Sequence, residues 1–227
     1  MRSDFEEYNG VWEETHPRYQ NASIKLVQEQ HPGWSAAQVT AAAKTEFESA
    51  AVEFLAATVK RGKQLRPKCK WGFYGFPCAP AACLGAVICT NSSSTGTPEC
   101  GYGNPAQGKQ FRALATVQQP VLDASDAIFP RIYLSPNGDD CRSPSHPAGC
   151  SPAETASWVQ ALVREASRLM KHRKSSVYPY MWQWYSGPDS LKRTPLSDED
   201  RHIVMKNPYE AGAAGVVIWV DAEALFA

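Results

Sequence analysis

The 227 residues carry 23 Lys+Arg against 23 Asp+Glu, so no net field points to nucleic acid or to an anionic membrane surface. That length suits one large domain with an ample core, and no apolar run approaches the roughly 20 residues that span a bilayer. Asp4, Glu6 and Glu7 fall within the first seven residues, so the start reads without the apolar core of a signal peptide.

The first element is Arg2-Ser3-Asp4-Phe5-Glu6-Glu7. In an extended strand Asp4 and Glu6 point to the same face, with Cα atoms about 6.5 Å apart. Two carboxyls that close cannot both ionise freely, so one is held protonated and becomes a candidate general acid. An acidic run at a terminus ordinarily reads as solvated surface, so the pair gains meaning only from the rest of the chain.

Val11 to Gln20 reads as polar and irregular, and Ser23 to Gln30 as a short helix stopped by His31-Pro32-Gly33. Ser35-Ala-Ala-Gln38 has capping-box form. Val39, Ala43, Phe47, Ala51, Phe54, Leu55, Val59 and Leu65 follow it at helical spacing. Lys60, Arg61, Lys63 and Arg66 suit the end of that helix, as a solvated terminus or a polyanion patch, and Pro67 stops it. Trp71 to Pro77 reads as a short aromatic strand. A loop rich in Gly, Ser and Cys follows, to about Gly108. Val117 to Phe129 is ambiguous, and Ile128 to Leu134 reads as a strand. Ser151-Pro-Ala-Glu154 opens a helix whose stripe is Val159, Leu162, Val163, Ala166, Leu169 and Met170. Val177 to Trp184 is another strand. Ser197-Asp-Glu-Asp200 opens a helix interrupted at Asn207-Pro208, and Val216 to Trp219 reads as a buried parallel strand.

Cys78, Cys83, Cys89, Cys100, Cys141 and Cys150 crowd into two loops, 78–108 and 135–150, as short-range disulfides do; Cys69 is left over. A Cys141–Cys150 staple fits the second loop. Zinc is the alternative, but no Cys-x2-Cys or His-x3-His spacing supports a metal site, and no cofactor motif is present. Asn21-Ala-Ser23 and Asn91-Ser-Ser93 are glycosylation sequons. Export-type chemistry without an export signal predicts that the chain's beginning is missing.

Strands alternating with helices predict a parallel sheet or an α/β barrel, whose chemistry sits at the C-terminal strand ends. Glu6, Tyr74, Tyr133, Trp182 and Trp219 fall near such ends. Each aromatic taken alone reads more readily as core; together they predict a carbohydrate cleft, with the two acids hanging into a pocket walled by Tyr74, Tyr133 and Trp219.

Several stretches resemble the hyaluronidases, glycoside hydrolase family 56. They are Asp4-Phe-Glu6, 21–28, 43–48, 62–67, Trp71-Gly-Phe-Tyr-Gly-Phe-Pro77, Phe129-Pro-Arg-Ile-Tyr-Leu134 and 212–219. The resemblance implies a distorted TIM-type (β/α) barrel over residues 1–227, here lacking its first strands and its closing helix. It implies retaining hydrolysis of internal β-1,4 N-acetylhexosaminide bonds in hyaluronan or chondroitin, with the substrate's own acetamido oxygen as nucleophile. Glu6 then resembles the general acid and base, and Asp4 the residue orienting the acetamido group. Tyr74 and Tyr133 resemble the tyrosines bracing that group and the developing charge. Trp219 resembles the tryptophan flooring the site, and Tyr180 a further cleft tyrosine, with Trp182 beside it.

The departures are specific. Asn9 stands where the family usually has an arginine, and Leu162 where it has another, with Arg164 off-register. Phe-Pro-Asp-Cys is shortened to Phe76-Pro-Cys78, and the resemblance pairs Cys78 with Cys100 and Cys83 with Cys89. The expected protein is a secreted or lysosomal monomer acting on a glycosaminoglycan. The alternatives are a catalytically impaired glycan-binding protein and a fragment that does not fold alone.

Overall fold

In the computed structural model of the protein, residues 10–77, 86–92, 94–144, 146–170, 176–187 and 194–220 are described. Packing divides them into two units. One is the chain up to Trp71 with Leu114–Ser125; the other is Gly72–Ala113 with the chain from Asp126 onward.

The first unit is helical. After a 3-10 turn at Trp12–Glu14, α1 (Pro17–Gln30) begins six residues before the expected start. Proline at its first position and the His16 Nδ1, accepting from the Arg18 N–H at 3.2 Å, supply the start signal. α2 (Ala36–Leu65) opens on the expected capping box: Ser35 Oγ accepts from the Gln38 N–H and Gln38 Oε1 from the Ser35 N–H. Its stripe of Val39, Ala43, Phe47 and Ala51 is buried with Trp12 and Val27, and the Trp12 ring meets Phe47 edge-on at 5.8 Å.

α3 (Pro105–Val117) lies partly inside the stretch expected to be loop. The missed signal is Asn104-Pro105: Asn104 Oδ1 accepts from the Ala106 and Gln107 N–H groups, and the proline takes the first helical position. α4 (Gln119–Ala124) packs on α2, where Lys63 Nζ donates to the Ala124 carbonyl at 3.0 Å. One member of the basic cluster is thus a tether between helices.

In the second unit, β1 (Cys89–Asn91) and β2 (Pro98–Cys100) form an antiparallel hairpin with Cys89 opposite Cys100. α5 (Pro152–Leu169) starts at the expected capping box of Ser151 and Glu154, and buries Trp158, Val159, Leu162, Val163 and Ala166. α6 (Asp198–Glu210) packs on α5 and continues through Pro208 instead of breaking there. The expected interruption is therefore corrected: the helix runs two residues past the proline to Glu210, so the proline forfeits its own bond but has almost no helix beyond it to displace.

The remaining strands pair in parallel. β3 (Ala127–Ile128) pairs in parallel with β4 (Ser176–Val177), and β5 (Tyr180–Trp182) with β6 (Val217–Trp219). Parallel bridges Tyr74↔Phe129 and Arg131↔Tyr180 extend the ladder, so segments at 74, 127–131, 176–182 and 217–219 follow one another in space as in sequence. The Gly75 N–H donates to Phe129 O, Tyr180 N–H to Pro130 O and Val217 N–H to Pro179 O, at 2.8–2.9 Å. Helices intervene between most of these segments, which makes the fold α/β; among the described residues no closed barrel is traced. The expected strand at 71–77 is reduced to the Tyr74 bridge. No helix among the described residues is long and apolar enough to cross a membrane.

Candidate functional site

Burial along the sheet alternates with period two. Ile128, Pro130, Ile132 and Leu134 are buried, as are Val177, Pro179 and Met181. Between them Phe129, Arg131 and Tyr133, and likewise Tyr178, Tyr180 and Trp182, are only half-buried. One face is thus covered, and the other is a field of rings. The parallel register sets them in rows, with Trp182 level with Trp219 nearest the C-terminal ends.

The rings touch in an unbroken chain. Tyr74 meets Tyr180 edge-on at 5.0 Å between centroids and Tyr133 at 6.2 Å. Tyr133 lies 6.2 Å from Trp182 and 6.5 Å from Trp219, and the two tryptophans cross at 5.3 Å and 70°. All five aromatics named from the sequence therefore share one surface, and Trp219 keeps 39% of its own exposed. Phe129 and Tyr178 continue it, with centroids 6.1 Å apart. In the sequence these two and Arg131 are marked only by steps of two from Tyr133 and Tyr180, a spacing that carries no meaning until the open face of the strands is known. The Arg131 guanidinium carbon sits 5.8 Å over the Tyr133 ring.

Beyond Tyr133 the chain turns into a small polar cavity of about 200 Å³, lined by Ser135, Asn137, Asp140, Thr155, Glu199 and Asp200 among others. The buried Asp140 accepts from the Ser135 N–H at 2.8 Å and from the Ser135 hydroxyl at 3.0 Å. Burial pushes its carboxyl above the usual range, against the pull of the Ser135 bonds and the Arg131 charge, with Asp139 adding to the rise. Tyr185 donates its hydroxyl to Asp200 and accepts from the Ser197 N–H. Among the described residues no group of three or more His, Cys, Asp or Glu is placed to hold a metal ion.

Asp4 and Glu6 lie outside the described residues, as do Asn9, Cys78 and Cys83. Cys141 pairs with Cys150 as expected. Cys100, however, pairs with Cys89, which corrects both the Cys78–Cys100 and the Cys83–Cys89 assignments. The hairpin is the reason: its register sets the two Cα atoms 4.2 Å apart. Leu162 is fully buried, and Arg164 is tied to Gln160 on the exposed side of α5. Asn21, on α1, and Asn91, at the end of β1, are both exposed.

A family model described as Hyaluronidase (glycoside hydrolase family 56) matches residues 3–225. Among curated proteins, Hyaluronidase-1 of Sus scrofa is 34% identical over 93% of this chain and 45% of its own length. Hyaluronidase of Polistes annularis is 28% identical over 95% and 52%, and "Inactive hyaluronidase B" of Vespula vulgaris 28% over 87% and 49%. The chain thus spans about half the length of these relatives. Among solved structures, bee venom hyaluronidase in complex with a hyaluronic acid tetramer matches with a TM-score of 0.69 at 21% identity, over 100% of this chain and 61% of that one. At that identity the likeness speaks to the fold.

Proposed function

The chain belongs to the hyaluronidase family, and on that footing we propose an endo-β-N-acetylhexosaminidase acting on hyaluronan or chondroitin with retention of configuration. In this reading the parallel segments are part of a distorted (β/α) barrel whose C-terminal strand ends meet the polysaccharide. The observation that carries it is the continuous half-open surface of Tyr74, Tyr133, Tyr180, Trp182 and Trp219. Flat rings side by side suit the C–H faces of consecutive sugars, and phenol hydroxyls among them can steady polar substituents.

Glu6 takes the part of general acid towards the leaving oxygen, and then of general base towards water. Asp4 turns and polarises the acetamido group, whose oxygen attacks the anomeric carbon. Tyr74 and Tyr133 brace that group and the oxocarbenium-like charge; Trp219, Trp182 and Tyr180 hold the chain of sugars. No metal or cofactor enters this scheme. The protein acts as a secreted or lysosomal monomer, a setting that suits the two disulfides among the described residues and the exposed Asn21 and Asn91.

The test is a reducing-end assay on hyaluronan and chondroitin with the protein and its Glu6→Gln variant. Loss of a general acid lowers the rate by about 10²-fold or more. Equal rates in the two proteins end the assignment. A second reading, a glycan-binding protein without turnover, is favoured by the burial of Leu162, an apolar side chain where the family resemblance leads to an expected arginine. It predicts binding that Glu6→Gln leaves unchanged and no new reducing ends with either protein.

A further inference from the structure

Among the described residues, the ring-bearing face of the sheet carries a single charged side chain. Phe129, Tyr133, Tyr178, Tyr180, Trp182, Val217, Trp219 and Tyr74 are uncharged; Arg131 is the exception. It pairs across the ladder with Tyr180, lies one pleat before Tyr133 and reaches its guanidinium over the Tyr133 ring at 5.8 Å. Asp140 offsets part of its charge, but that carboxylate is already engaged by the Ser135 N–H and hydroxyl.

We propose that Arg131 is the specificity residue of this surface, taking the carboxylate of a uronic acid while the neighbouring rings stack on the sugars. The inference rests on the glycan-platform reading above and names its selectivity: an acidic polysaccharide is preferred to a neutral one of the same backbone. A guanidinium suits the task because its planar fork meets a carboxylate through two parallel hydrogen bonds, and its place over the Tyr133 ring sets it beside the sugars that the rings hold. The arginine positions expected from the family do not supply this contact on the described face. Leu162 is buried and apolar, and Arg164 points to solvent beside Gln160.

The experiment measures affinity at low temperature for a hyaluronan decasaccharide and for its carboxyl-reduced counterpart, in which each uronate is a neutral glucose unit. The unaltered chain should prefer the native ligand by about ten- to a hundredfold, the contribution of a charge-assisted pair. Arg131→Gln should abolish that preference by weakening native hyaluronan alone, and Arg131→Lys should retain part of it. Equal weakening of both ligands by Arg131→Gln would mean that the arginine merely supports the rings, and overturns the proposal. So does an unaltered chain that binds both ligands equally, which leaves the platform standing. If it binds neither, the platform reading fails and this inference with it. Near-ultraviolet circular dichroism of each variant establishes that the rings keep their packing.

Discussion

Gly72 faces the neighbouring strand so closely that a methyl group in place of its hydrogen would stand 2.1 Å from the Ala127 carbonyl oxygen. Backbone cannot yield as a side-chain tip can, so Gly72→Ala should cost about 1–3 kcal/mol, read as a lower urea midpoint at unchanged slope. Asp140 makes a different kind of prediction. Its carboxyl is raised above 3.8 by burial, so the folded protein holds a proton that the unfolded chain would release. That contribution is complete below about pH 3.8 and is lost as pH rises through the raised folded value. The stability advantage of the unaltered protein over Asp140→Asn should therefore shrink as pH climbs from 4 towards neutrality. A difference that stays flat across that range would put the carboxyl in solvent. At this scale the sequence was informative where chemistry is concentrated in a residue type. Tyr74, Tyr133, Trp182 and Trp219 could be chosen by their place near strand ends, and Tyr180 by the family resemblance. Arg131 could not, because an arginine two residues before a tyrosine is uninformative until the strand's direction and its open face are known.

At the scale of elements, local signals were legible and non-local ones were not. Both capping boxes form as Ser35-Gln38 and Ser151-Glu154 predict, because a cap needs only four consecutive residues. Burial works against ionisation of Glu154, but bonds from the Ser151 N–H and hydroxyl and the nearby His146 outweigh it and hold the carboxyl below its ordinary value. Ser151→Ala should cost about 1 kcal/mol at neutral pH. The Glu154 share of that cap is present above its ordinary value of 4.5 and is lost as pH falls through the lowered one. Disulfide pairing is the opposite case, since it depends on a hairpin hidden within a stretch of Ser, Thr, Gly and Pro that reads as loop. Peptide mapping of the unreduced protein should recover Cys89 linked to Cys100 and Cys141 linked to Cys150. Replacing Cys141 and Cys150 together by serine should lower stability by about 2–3 kcal/mol, the entropy of closing so short a loop.

For the sheet as a whole, the two faces have different duties, and β6 separates them most clearly. Alternation sends Trp219 to the ring-bearing face and Ile218 to the other, and both are substantially exposed, at 39% and 50%. The uninterrupted apolar run Val216 to Trp219 had suggested a strand covered on both sides, yet among the described residues β6 pairs with β5 alone. An apolar strand with an unpaired side and an uncovered isoleucine is prone to self-association through its edge. A single exchange on each face should therefore separate solubility from binding. Ile218→Lys should lower the concentration-dependent association seen by sedimentation velocity and leave hyaluronan affinity within about twofold, because its side chain points away from the rings. Trp219→Ala should weaken hyaluronan on the order of tenfold through the lost stacking surface and leave association unchanged. Equal loss of affinity in the two variants would contradict the division of the strand into a binding face and a packing face. A polysaccharide platform would then lose its geometric support, since that support rests on which way alternate side chains of four short parallel segments point.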